Sequence, residues 1–91
     1  HREFYKKGNS DFEKAARKAV TNDWEGAVEI WRKNTYSKDS DIAGRACYNM
    51  AVGSEVLGNI PAAKEWAQKA YVDFGVKIAR DYLNVLENRP Q

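Results

Sequence analysis

The sequence predicts an all-α fold of stacked antiparallel helical hairpins, about five helices within ninety-one residues. Three observations predict it. Apolar residues recur at three- and four-residue spacing along most of the chain. No stretch alternates apolar and polar residues as a half-buried strand would. Two blocks of similar sequence, TNDWEGAVEIWRKN and LGNIPAAKEWAQKA, begin thirty-six positions apart, at Thr21 and Leu57.

Residues 1–9, HREFYKKGN, carry no helical period and end in a Gly-Asn turn signal. They read as an N-terminal extension or linker ahead of a helical domain at residues 10–89. Phe4 and Tyr5 are large for an idle tail, and are expected to pack back on the domain or join it to something upstream. The first helix is expected from Ser10, where Ser10 and Glu13 form a capping box. Phe12, Ala15, Ala16, Ala19 and Val20 make its apolar stripe, and it ends near Thr21. Asn22 is expected to cap the second helix, with Glu25 at its third position. Trp24, Ala27, Val28 and Trp31 form its stripe, widened by Ile30. Lys33-Asn34 closes it, Lys favouring the negative helix end and Asn tolerating a left-handed turn.

Residues 35–40, TYSKDS, are a polar loop, and Asp39 or Ser40 caps a third helix from about Asp41 to Leu57. Its small and apolar residues cover a wide face: Ile42, Ala43, Ala46, Cys47, Met50, Ala51, Ser54 and Leu57. Gly44 and Gly53 each cost this helix about 1 kcal/mol relative to Ala, which predicts close approach of a neighbour at both. Gly58-Asn59 stops it. Pro61 fits the first turn of a fourth helix, where its missing N–H costs nothing. Ala63, Trp66, Ala67, Ala70, Tyr71 and Phe74 carry that helix to Gly75. A fifth runs from about Val76 to Asn88, with Ile78, Ala79, Tyr82, Leu83, Val85 and Leu86 expected on its buried side. Arg89-Pro90 ends it.

Aligning the two blocks sets Trp24 with Ile60, Ala27 with Ala63 and Trp31 with Ala67. Each block follows a helix and a short turn, so the unit is a helical hairpin whose seam needs a small residue. The blocks resemble the tetratricopeptide repeat. The second copy matches through Met50-Ala51, Gly58, Asn59, Ala63 and Ala70, and the first through Ala15, Asp23, Trp24, Ala27 and Trp31. Both depart from the family pattern where a proline follows the second helix, since Asp39 and Gly75 stand there; Asn34 also replaces a small residue. The resemblance implies two degenerate repeats plus a capping helix. The chain also resembles the C-terminal helical region of an uncharacterised family of bacterial predicted lipoproteins. The segments that carry this are RxFYxxGN at residues 2–9, NDWEGAVEIW, AGRACYNMAVGSEVLGN, AKEWAQKAY and the closing LENR. It implies a cell-envelope location, periplasmic or lipid-anchored, in a Gram-negative bacterium, with an N-terminal domain and anchor upstream.

Composition narrows the function classes. Fifteen basic and thirteen acidic residues leave a net charge of +2, without the basic cluster of a nucleic-acid binder. A single cysteine, Cys47, forms no internal disulfide and no metal cage, and reads as a small buried apolar residue. The one histidine is His1. No apolar run is long enough to span a membrane. The chain starts without Met and reads as a processed or excised fragment. Asp39 and Asp41 sit where acids cap helices, and Glu25 and Glu29 on a helix exterior, so neither pair suggests acid–base catalysis. No phosphate loop, metal spacing or nucleophile–base pair is present. Trp24 and Trp31 share one helix face with Ala27 and Val28, a core arrangement; Trp66 lies beside the Ala63, Ala67 and Ala70 seam.

No enzyme activity and no cofactor are therefore expected. The expected function is a protein–protein interaction or scaffold module, its partner a protein or peptide. The repeat resemblance places a candidate groove along Arg45, Tyr48, Asn49, Val52 and Glu55, with Asn9, Phe12, Ala16 and Ala19 from the first copy. Asn can pair with a peptide backbone, Arg with a carboxylate, and Tyr supplies contact area. The terminal-carboxylate clamp of some family members would fall at Phe12 and Ala16, which cannot form it. The alternative is a structural appendage packed on an upstream domain, which would expose an apolar patch around Phe4, Tyr5 and one end helix.

Overall fold

The computed structural model describes residues 3–88, and five helices account for most of them. They are α1 (Ser10–Val20), α2 (Trp24–Asn34), α3 (Ser40–Val56), α4 (Ile60–Val72) and α5 (Lys77–Glu87). There is no strand among the described residues. Consecutive helices pack on one another, α1 on α2, α2 on α3, α3 on α4 and α4 on α5. The chain is thus an all-α stack of antiparallel hairpins. The expected Arg89-Pro90 stop and His1 lie outside the described residues.

Side-chain caps set the starts of α1 to α4, and two of them stand one residue from where the capping motifs put them. Asn9, not Ser10, caps α1, accepting the N–H groups of Asp11 at 3.1 Å and Phe12 at 3.3 Å. Asp23, not Asn22, caps α2, accepting Gly26 N–H at 2.9 Å. Asn22 instead turns the chain with a left-handed φ of 70°, which its short polar side chain tolerates. Asp39 caps α3 through Asp41 and Ile42. Asn59 caps α4 through Ala62, with Pro61 in the first turn. Gly75, at a φ of 68°, reverses the chain between α4 and α5. Asn34, expected to turn left-handed, stays helical at the end of α2. Thr35 closes α2 by donating its hydroxyl to Arg32 O at 2.7 Å. Asn34 is buried, donating to Ile30 O and to Asp11 Oδ2 and accepting from Asn9 Nδ2 at 2.8 Å. It ties the start of α1 to the end of α2.

Two clusters make the core. Phe12, Ala15, Ala19, Ala27, Val28, Trp31, Ala46 and Met50 join α1, α2 and α3. Cys47, Tyr48, Val52, Ala70 and Ala79 join α3, α4 and α5. α3 stands between them, which is why so much of its circumference is buried. Its two glycines sit at close approaches. A Cβ on Gly53 would lie 2.5 Å from Val28 Cγ2 of α2, and one on Gly44 2.8 Å from Phe74 Cβ beyond α4. Ala63, Ala67 and Ala70 of α4 are fully buried. The fifth helix is less covered than its stripe predicts. Ala79 and Leu86 are buried, Tyr82 and Leu83 half-buried, while Ile78 is 47% and Val85 63% exposed. Packed mainly on α4 and touching α3 along Ala79 and Tyr82, α5 buries a narrow strip rather than a wide face.

Candidate peptide-binding groove

Arg45, Tyr48, Asn49 and Val52 follow one another at three- and four-residue spacing on α3, so a single face presents them. That face is not open. Tyr48 is 6%, Asn49 0% and Val52 2% exposed: residues 4–7 of the same chain lie along Arg45, Tyr48 and Asn49, and Val52 belongs to the core cluster with Ala70 and Ala79. The segment has no regular secondary structure, so its backbone polar groups need partners other than a helix ladder. Asn49 supplies them. Its Oδ1 accepts Tyr5 N–H at 2.8 Å and its Nδ2 donates to Tyr5 O at 2.7 Å. The two bonds fix the orientation of the carboxamide, since only one assignment gives each atom a complementary partner. Two residues further on, Arg45 Nη1 donates to Lys7 O at 3.0 Å.

Aromatic contacts hold the side chains. The Phe4 ring meets Trp24 edge-on at 5.6 Å and Trp31 at 5.4 Å, in a notch that α2 provides. Tyr5 stands edge-on to Tyr48 at 5.5 Å, and Tyr48 in turn meets Tyr82 of α5 at 5.6 Å. The Arg45 guanidinium lies 5.2 Å from the Tyr5 ring centroid, a cation–π contact. Phe4 and Tyr5 border both core clusters, so the segment spans the seam between them. Where the segment turns into α1, a Cβ on Gly8 would lie 2.9 Å from the Phe12 ring. Phe12 is therefore the buried floor beneath Gly8 rather than a solvent-facing wall. Beside Tyr5 and Arg45, between the starts of α3 and α5, an open depression of about 280 Å³ continues the groove.

The electrostatics follow from this covering. Burial pushes the Tyr48 phenol pKa upward, with smaller contributions from Tyr5, Glu3 and Glu55. Glu55 accepts a hydrogen bond from the Tyr82 hydroxyl. Burial likewise pushes the Cys47 thiol up to about 11. No group of His, Cys, Asp or Glu among the described residues is arranged to hold a metal ion. No described helix is long and apolar enough to cross a membrane.

Several expectations are corrected here. Arg45 binds a main-chain carbonyl and an aromatic ring, not a carboxylate. Ala16 and Ala19 are buried, and Asn9 is spent on the α1 cap and Asn34. Phe4 and Tyr5 contribute most to the site, and their only sequence signal is two bulky rings in an aperiodic leader. Trp24 is half-buried rather than a core residue like Trp31, and it helps form the Phe4 notch.

Fold and site together define a helical-hairpin module that holds an extended segment of its own chain. The chain belongs to the family described as Domain of unknown function (DUF6340), whose model matches residues 13–88. The matched residues contain Arg45, Tyr48, Asn49 and Val52 and leave out residues 4–7. No curated protein and no solved structure matches the chain.

Proposed function

We propose that this domain is a non-enzymatic scaffold, a protein–protein interaction module of the tetratricopeptide-like kind, whose groove holds an extended polypeptide segment. The observation that carries the proposal is the Asn49 carboxamide, fully buried and bonded through both polar atoms to the main chain of Tyr5. Such an arrangement does what an added strand partner does at a sheet edge: it satisfies backbone groups and leaves side-chain pockets to choose the sequence. A binding role is further supported where side chains are committed to structure: Asp39 and Asp23 cap helices, and burial pushes the Cys47 thiol pKa up to about 11. A bacterial cell-envelope setting is part of the proposal and rests on the sequence resemblance to predicted lipoproteins.

Phe4 and Tyr5 are folded into the groove, so the apolar patch that the appendage alternative calls for is left to the end helix, where Ile78 and Val85 are exposed. Amide hydrogen exchange by NMR on the intact chain tests the scaffold reading. The Tyr5 amide is expected to be protected well beyond those of Lys6 and Lys7. A Tyr5 amide exchanging at the rate of an unstructured peptide would sink the proposal.

A further inference from the structure

We infer that the groove recognises an extended segment carrying two adjacent aromatic residues, and that residues 4–7 are a tethered competitor which a partner segment of that chemistry displaces. This rests on the scaffold reading above.

Nearly everything that holds the segment is portable. Asn49 and Arg45 bond only main-chain atoms, those of Tyr5 and Lys7, so any extended peptide can offer the same groups. Selectivity is left to two side-chain positions. The Trp24–Trp31 notch takes a flat ring, and the next residue's ring stands against Tyr48 under the Arg45 guanidinium. The Lys6 and Lys7 side chains are exposed and add only a 5.9 Å approach of Lys6 Nζ to the Phe4 centroid. The ligand class is therefore aromatic–aromatic, with loose demands on the two following residues. Gly8 and Asn9 join the segment directly to α1, which keeps its local concentration high. Short flexible tethers give effective concentrations on the order of millimolar. If the intrinsic dissociation constant is about a tenth of that value, the groove is open roughly one-tenth of the time. A free peptide then binds about tenfold more weakly than to an open groove.

The test uses the 91-residue chain and a fluorescent capped peptide, Glu-Phe-Tyr-Lys-Lys-Gly, copied from its own residues 3–8. The double variant Phe4→Ser/Tyr5→Ser, which frees the groove, is expected to bind this peptide about tenfold more tightly than wild type. Adding Asn49→Ala should abolish binding, and a peptide with both rings replaced by serine should not bind. Absence of binding to a double variant that keeps its helical circular dichroism overturns the inference, as does equal binding of the serine peptide. If the double variant unfolds, the peptide is titrated onto wild type instead. A saturable shift of the Tyr5 amide resonance of the isotope-labelled chain, as its own segment leaves Asn49, is expected, and no shift at millimolar peptide overturns it. A protected Tyr5 amide combined with no peptide binding defeats displacement alone; an unprotected Tyr5 amide defeats the scaffold reading as well.

Discussion

Replacing Asn49 by Asp changes one amide group to a carboxylate at nearly constant shape, and so probes the clamp without opening a cavity. The retained oxygen can still accept Tyr5 N–H, which lies 2.8 Å away in the native chain. The other oxygen replaces Nδ2, which donates to Tyr5 O at 2.7 Å. One hydrogen bond becomes a close oxygen–oxygen contact, and a charge is placed at a site with no exposure. A buried carbonyl that loses its donor costs about 1–3 kcal/mol. The repulsion and the charge add to that until the segment lifts away; with the groove open about one-tenth of the time in the native chain, lifting caps the loss at about 1.4 kcal/mol, and we expect about 1–1.4 kcal/mol at neutral pH. Protonated Asp carries an O–H that can donate to Tyr5 O again. Its folded-state pKa is therefore raised above the unfolded value of about 3.9. A group shifted in that direction favours folding below the unfolded pKa, and the benefit is lost as pH rises through the folded one. The deficit relative to wild type should be small near pH 3.5, grow by up to about 1.4 kcal/mol per pH unit, then level off. Urea unfolding of both chains across pH 3.5–8 measures it, the wild-type series cancelling the native titrations. A deficit below about 0.5 kcal/mol at neutral pH, or one that is flat with pH or grows on acidification, refutes the clamp.

Ala63→Leu should overpack the fully buried α3–α4 seam and cost about 1–3 kcal/mol. A melting temperature lowered by at least roughly 4 °C is expected, and no change would refute the close seam. Gly53→Ala would add a methyl group 2.5 Å from Val28 Cγ2. Val28 is stiff at χ1, so an overpacking cost of about 2–3 kcal/mol should outweigh the helix-propensity gain of about 1 kcal/mol and leave a net loss of about 1–2 kcal/mol. Val28→Ala in the same chain should recover part of it, and strictly additive urea-melt energies would show that the two do not touch. Cys47, with its thiol pushed up to about 11, should resist thiol reagents at pH 8 until the chain unfolds. Stoichiometric labelling of the native protein within the mixing time would contradict its burial.

The features legible in the sequence are those that local spacing encodes. Apolar stripes separated all five helices, and Gly44 and Gly53 announced the close approaches later seen at Phe74 and Val28. Caps were legible only to within a residue. Ser10 and Asn9, or Asn22 and Asp23, are equally able to cap; Asn9 has the extended backbone that caps α1, while the left-handed turn occupies Asn22 and leaves Asp23 to cap α2. A stripe also says nothing about how many elements surround it, so Ile78 and Val85 match the period of α5 yet face solvent. The groove divides the same way. Arg45, Tyr48 and Asn49 form one face of one helix and can be read locally. Their occupant, 44 residues from Asn49, belongs to an aperiodic segment with no spacing to betray it. Yet the chemistry of α3 does carry a trace. A carboxamide offers one donor and one acceptor in a plane, as a peptide group does, and burying it without both partners is costly. An asparagine between Tyr48 and Met50 on the buried face of a helix therefore implies a second polar surface laid against it. With neighbouring helices meeting that face through alanines and aromatic rings, the remaining source of a matched N–H and C=O is an extended backbone, and residues 4–7 supply it.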